Sequence, residues 1–394
     1  MFAPFVAAYY LSFLFRTINA TIAPSLSLEL GLDAADLGLL TSVYFLTFAA
    51  AQIPIGILLD RYGPRRIQSI VLVAASAGAT LFAVSDSFPL LLFARALIGL
   101  GVAAALTAGL KALVLWFPRE RVPLLNGLMI MLGALGAVTA TWPAEFLLAA
   151  IGWRGLFELL AAASAGCAVM IYLLVPHMAP PAAGGSVPVG LRTIYSDPRF
   201  WRLAPLSATC IGTAWALQGL WAAPWFSDVE GLERSSLIWH LLVMAIALSL
   251  GALLLGLSAD RLRRRGVGPQ RILAIVAIVF IVAQLALILR FPVPSYLPWT
   301  VIAAVGAGTV ISYAILAEHF PREIAGRANA ALNVFHIGGA FILQYTTGAV
   351  IQLWIPLEGH YPLIAYQSAF ALNLFLQLAA LIWFVLPMFG RRTQ

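Results

Sequence analysis

Three basic side chains stand inside long apolar runs: Arg16, Arg95 and Lys111, the last being the only lysine in the chain. A charge near the centre of a bilayer costs at least about 2.5–3.5 kcal/mol on insertion scales, so each of the three calls for a function. A guanidinium can hold a carboxylate or phosphate through two parallel hydrogen bonds, and an ammonium adds a compact point charge. No acidic residue stands at the helical spacings next to Arg16, which lies near the middle of its run, with Asn19 one turn on. Arg16, Asn19 and Lys111 are therefore expected to present a positive wall to a small anion. For Lys111 the alternative is snorkelling of its ammonium to the cytoplasmic interface.

About two hundred residues further on, the positions related to Arg16 and Lys111 hold Ala216 and Ala314, flanked by Trp215, Gln218 and Tyr313. The opposite wall should thus be aromatic and amide in character, built from Gln218, Tyr313 and His336 before Trp221, Asn333, Gln344 and Tyr345. For most single aromatics, packing or an interfacial belt is the plainer account. His336 is the natural proton carrier, because unperturbed imidazole titrates near pH 6.5. Arg95 is a second candidate for proton traffic, with helix packing as the alternative. His240 and Met244, one turn apart, offer an imidazole and a thioether that suit copper. Only seven methionines occur in the chain, which weakens that reading.

These side chains need a scaffold, and composition says which kind. Of 394 residues, 62% are hydrophobic and 10% charged, whereas soluble domains carry roughly a quarter charged. Twelve apolar runs reach bilayer-spanning length, which takes about 20 residues each: 4–24, 36–58, 67–86, 89–115, 123–146, 152–176, 200–225, 237–258, 270–290, 296–318, 326–350 and 363–387. Lipid offers backbone groups no partner, so the spans must be helices. An all-α membrane protein of twelve helices in two pseudo-symmetric six-helix bundles is expected: 1–176, a Pro-, Ala- and Gly-rich linker at 177–199, and 200–394.

The net charge of +7 is not a nucleic-acid signal. Of the 23 basic residues, 17 fall on one set of connections and the tail; Arg154, Arg234 and Arg290 fall on the other, and three lie inside spans. The positive-inside rule then places both termini and the linker in the cytoplasm. Met1 leads almost directly into the first span without a basic leader, so no cleaved signal is expected. Cys167 and Cys210 both fall in spans and form no metal or disulfide spacing. Walker-type loops, nucleophile elbows, zinc motifs and paired catalytic carboxylates are missing from the sequence, so neither an enzyme nor a cofactor is expected.

Two basic signatures repeat across the halves. The first is Gly56-Ile57-Leu58-Leu59-Asp60-Arg61-Tyr62-Gly63-Pro64-Arg65-Arg66, and its echo runs from Gly256 through Asp260 and Arg261 to Arg265. Phe117-Pro118-Arg119-Glu120 likewise returns as Phe320-Pro321-Arg322-Glu323. Arg95-Ala96-Leu97-Ile98-Gly99, Gly133-Ala134-Leu135-Gly136 with Pro143, Gly338-Gly339, and Gly152-Trp153-Arg154-Gly155-Leu156-Phe157 complete the pattern.

On these residues the whole chain resembles the major facilitator superfamily of transporters. The resemblance implies a monomeric carrier in the bacterial inner membrane that moves a small solute by alternating access, with lipids as its surroundings. It implies that Gly56, Asp60, Arg61, Gly63, Arg65, Arg66, Asp260 and Arg261 belong to the gating motif. Gly56 and the fifth-span glycines should let helices pass closely. Asp60 should cap a neighbouring helix N-terminus, with the eleventh span suggested by the family. Arg16-Thr17-Ile18-Asn19, with Pro24, resembles the opening of the anion:cation symporters and organophosphate:phosphate antiporters, in which a first-span arginine binds the substrate anion.

The chain departs from the symporter pattern at two places. Phe15 and Val102 stand where those families often carry acids, which puts proton coupling through a first-half carboxylate in doubt. Glu145, Glu158 and Glu318 lie near span ends, where interfacial solvation accounts for them equally well. An organic anion, most simply a carboxylate, is the expected substrate, with a proton as candidate partner and uniport or exchange left open. Copper import, drug efflux and a non-transporting receptor are the competing functions.

Overall fold

The computed structural model describes residues 2–118, 121–176, 191–306, 308, 311–320 and 322–389. The centre of the expected linker, Glu120 and the C-terminal arginines lie outside the described residues, as does the side chain of Asp260. The twelve expected spans map onto helices, and the departures from straight rods fall where the sequence provides a physical cause. Span one is broken into Phe2–Thr17 and Asn19–Leu30, bent by 45°. Spans two and three run on as Ala34–Ala83, interrupted at Gly63, whose φ of 79° and ψ of 163° are non-helical. A positive φ costs glycine little, and Pro64 directly after it has no N–H to continue the ladder.

Gly152, with φ of 70°, makes the same kind of break inside Trp142–Leu174 and separates span six from the end of span five, Val122–Thr139. Span four is Phe88–Val102 followed by Ala105–Trp116. In the second half, span seven begins as Pro198–Ala216 and then widens into two π-helical stretches, Leu217–Trp221 and Trp225–Val229. Spans eight to twelve are Arg234–Arg264, Pro269–Ile288, Tyr296–Gly306 with Ile311–His319, Arg322–Ile351 and Leu363–Phe389.

The chain forms two compact units, Met1–Leu32 with Leu39–Ser186, and Asp33–Gly38 with Val187–Gln394. In the first unit small residues allow close helix approach, as expected in lipid. A Cβ on Gly136 would overlap the Tyr10 carbonyl oxygen, and one on Gly101 would strike Ala75. Gly56 does not share this role here: a Cβ there meets nothing within 4 Å. In the second unit, buried amides hold helices together. Gln284 donates to Gln377 Oε1 at 2.7 Å, and Gln377 donates to Thr213 Oγ1 at 2.8 Å, joining spans nine, twelve and seven.

Candidate functional site

In the first unit, Arg16 lies two residues before the bend of span one. Its guanidinium sits 4.0 Å from the centroid of the Phe13 ring. Thr17 Oγ1 donates to the Phe13 carbonyl at 2.9 Å, which supports the last turn before the break. Asn19 opens the next helix and is buried, donating from Nδ2 to Thr41 Oγ1 of span two at 2.7 Å. Asn19 thus braces the bend, and its Oδ1 finds no partner among the described residues.

Arg95 on span four is fully buried. Its Nη1 donates to the Phe15 backbone carbonyl at 3.2 Å, and the rings of Phe82 and Phe157 lie 4.8 and 5.3 Å from its guanidinium carbon. Nε and Nη2 have no hydrogen-bond partner among the described residues. Span one therefore carries Arg16 and, through the neighbouring carbonyl, also steadies Arg95. Both positions flagged as lacking an acid are buried, Phe15 and Val102 alike.

Lys111 departs from its expected place. Its ammonium donates to Asp60 Oδ1 at 2.6 Å and to the Leu59 carbonyl at 2.8 Å. The sequence put Lys111 beside Arg16 on an anion wall and gave Asp60 a helix N-terminus to cap. The structure joins Lys111 to Asp60 instead, because the long side chain snorkels toward the end of span two. Within the same loop, Arg65 donates from Nε to the Tyr172 carbonyl at 2.9 Å and lies over the Tyr172 ring. Arg61 lies 5.2 Å from the centroid of Tyr62, and both Arg61 and Arg66 are exposed.

In the second unit the structure brings three expected residues together and adds two serines. His336 is fully buried, with Nε2 2.6 Å from Ser207 Oγ and Nδ1 2.8 Å from the Tyr313 hydroxyl. Tyr313 donates to Asn333 Oδ1 at 2.7 Å, and Ser207 lies 2.8 Å from Ser312. Spans seven, ten and eleven meet through this chain. Ser207 and Ser312 were not read from the sequence, since serine in an apolar helix is commonplace and only the fold aligns them.

Gln218 and Trp221 both fall in the first π-helical stretch, a feature often found at functional sites. Gln218 is half-buried with Nε2 lacking a partner among the described residues, whereas Trp221 is a core side chain that donates to the Gln344 backbone carbonyl at 3.3 Å. His240 donates from Nδ1 to the Ser236 carbonyl at 2.7 Å and Met244 is buried in the core. Among the described residues no group of three His, Cys, Asp or Glu side chains forms.

Parts of the chain are similar to known transporters. A stretch of 158 residues is 27% identical to the "Probable sulfoacetate transporter SauU" of Cupriavidus necator, covering 40% of this chain and 37% of that protein. Over 121 residues the chain is 34% identical to the "Nitrate/nitrite transporter NrtP" of a Picosynechococcus strain, covering 31% and 22%. Over 129 residues it is 30% identical to the "Probable L-galactonate transporter" of Escherichia coli, covering 33% and 28%. The chain thus matches well under half the length of each of these relatives.

Among solved structures, a D-xylose-proton symporter superposes with a TM-score of 0.77 at 14% identity, covering 97% of this chain and 96% of its own. A bacterial homolog of the human lysosomal transporter Spinster, inward-facing and occupied, gives 0.73 at 21% identity, covering 98% and 94%. A family profile described as "Major Facilitator Superfamily" matches residues 5–343, and the chain, a multi-pass integral membrane protein, belongs to that superfamily.

Proposed function

We propose that this protein is a secondary transporter that carries a small organic anion, a carboxylate or sulfonate, across a bacterial inner membrane by alternating access, with both termini cytoplasmic. The observation that carries the reading is Arg16, a guanidinium set at the bend of the first membrane span above the Phe13 ring. An arginine there supplies a planar fork matched to a carboxylate or sulfonate. Arg95 adds a second deep positive charge, with N–H groups that have no partner among the described residues, in the same unit. The printed names of several relatives concern sulfoacetate, nitrate, L-galactonate and galactarate/D-glucarate, all anions, which supports the class of substrate.

Gln218, Tyr313 and Asn333 of the second unit are the proposed polar contacts for the rest of the solute. His336 is the proposed proton carrier, because it is linked to Tyr313 while Phe15 and Val102 supply no carboxylate. Copper import through His240 and Met244 is not favoured, since only seven methionines occur in the chain.

A thermal-shift screen of purified protein against sulfoacetate, nitrate, L-galactonate, D-glucarate, phosphate esters, amino acids, cationic drugs and copper tests the reading. A bound solute raises the melting temperature by mass action. At least one organic anion should do so, and Arg16→Lys should weaken its binding about tenfold by losing the fork. Stabilisation by copper or a cationic drug alone, or an anion affinity unchanged in Arg16→Ala, defeats the proposal.

A further inference from the structure

The cytoplasmic basic motif holds a relationship that its sequence conceals. Span two ends at Gly63, and the carbonyls of its last turn carry the negative end of the helix dipole. Leu59 is in that turn, and Lys111 Nζ of span four reaches its carbonyl at 2.8 Å and the adjacent Asp60 carboxylate at 2.6 Å. One ammonium thus binds a helix end and a carboxylate together. The arrangement has two parallels. Arg65 donates to the Tyr172 carbonyl in the last turns of span six, and Arg202 donates from Nε and Nη2 to the Phe384 carbonyl near the end of span twelve.

We infer that Lys111 is a positioning residue for the gating motif: it caps the C-terminal end of span two and fixes Asp60, so that the loop from Arg61 to Arg66 is held against span four. This differs from a role for Lys111 in binding the anion, and it depends on the transporter reading only where anions serve as probes. The Lys111 side chain retains 24% of its accessibility and Asp60 80%. An ion pair that exposed contributes little alone, so the carbonyl contact makes the anchor specific. Arginine can reproduce a charged cap, whereas methionine keeps the stem and loses both bonds.

Hydrogen exchange by mass spectrometry on protein in lipid nanodiscs tests the assignment. Lys111→Met should speed exchange of the amides between Asp60 and Arg66 about tenfold, with exchange in the second unit unchanged. Lys111→Arg should stay close to wild type. Asp60→Asn should act in the same direction as Lys111→Met, and the double variant should show less than the sum of the two.

The second arm measures melting shifts given by sulfoacetate, nitrate and L-galactonate. Any shift seen in wild type should persist in Lys111→Met. Unchanged loop exchange in Lys111→Met overturns the inference. So does a Lys111→Met protein that melts normally but has lost its response to a probe that stabilises wild type. If none of the probes stabilises wild type, the exchange result alone decides the role of Lys111, and the substrate class is what has failed.

Discussion

Arg95 is anchored on the backbone of span one: Nη1 donates to the carbonyl of Phe15, 3.2 Å away, one residue before Arg16. That carbonyl is the one hydrogen-bond acceptor that Arg95 meets among the described residues, so the deep charge of span four is only partly compensated. Nε and Nη2 remain without partners among the described residues. Each buried polar group left unmet costs about 1–3 kcal/mol, so such a residue is poorly explained by stability. Arg95→Met, similar in length and apolar, should melt no lower than wild type and yet lose anion transport. Wild-type uptake by a well-inserted Arg95→Met protein would reduce Arg95 to a packing residue.

Glu29 gives the first unit a pH-sensitive clasp beyond the apolar run 4–24, in the last turn of the helix Asn19–Leu30. The Trp153 indole donates to Oε2 at 2.6 Å, and Arg154 pairs with Oε1 while also reaching Asp86 at 2.6 Å. The Trp153 hydrogen bond first, and the Arg154 bond and charge after it, hold the Glu29 carboxyl below its ordinary value of 4.5. A depressed acid contributes stability that is present above the unfolded value and is lost as pH falls through the folded one. At pH 7, Glu29→Gln should therefore melt below wild type, and the gap should close below about pH 4. The gap should be small, since the Glu29 side chain is 45% exposed. A gap that widens on acidification reverses the sign and rules out the clasp.

Much of the fold was legible because lipid permits few solutions. Apolar length gave the spans, and Gly63-Pro64 and Gly152 ended helices where the sequence placed connections. Which candidate residues would group together was legible only in part. His336, Tyr313 and Asn333 met as a group, but Lys111 went to Asp60, because sequence position sets a side chain's depth without setting the direction it leans. Of the glycines read as close-packing positions, Gly136 makes a tight contact and Gly56 does not, while Gly101, which was not read so, also packs tightly. Which glycine faces a neighbour depends on helix rotation, and runs apolar on every face leave that rotation undefined.

The Gln284–Gln377 pair offers a test of what buried amides contribute in lipid. Both are almost completely buried, and each amide nitrogen faces the other's oxygen, at 2.7 and 3.3 Å. Gln377→Leu leaves Gln284 and Thr213 short of a partner and should cost about 1–2 kcal/mol. Replacing both glutamines with leucine should recover part of that loss, since no donor is then stranded at the pair. Additive losses, measured by unfolding in mixed micelles, would show that the glutamines act independently.

The last prediction concerns proton coupling through His336. Tyr313 gives its hydroxyl proton to Asn333, so toward His336 its oxygen is the acceptor, of Nδ1–H. The other ring nitrogen lies 2.6 Å from Ser207, which also lies 2.8 Å from Ser312. If Ser207 donates to the ring, the imidazole is neutral. If Ser207 turns its proton to Ser312, its oxygen can accept from an imidazolium. One hydroxyl rotation therefore accommodates either protonation state, and of the groups bonded to the ring only Tyr313 is itself titratable. In proteoliposomes, an inward proton gradient should stimulate uptake of whichever anion the screen identifies. His336→Gln should abolish that stimulation while leaving anion exchange at equal pH, and Ser207→Ala should reduce it by removing the rotor. Stimulation that survives in His336→Gln would place coupling elsewhere. No stimulation in wild type, together with brisk exchange, would make the protein an anion exchanger.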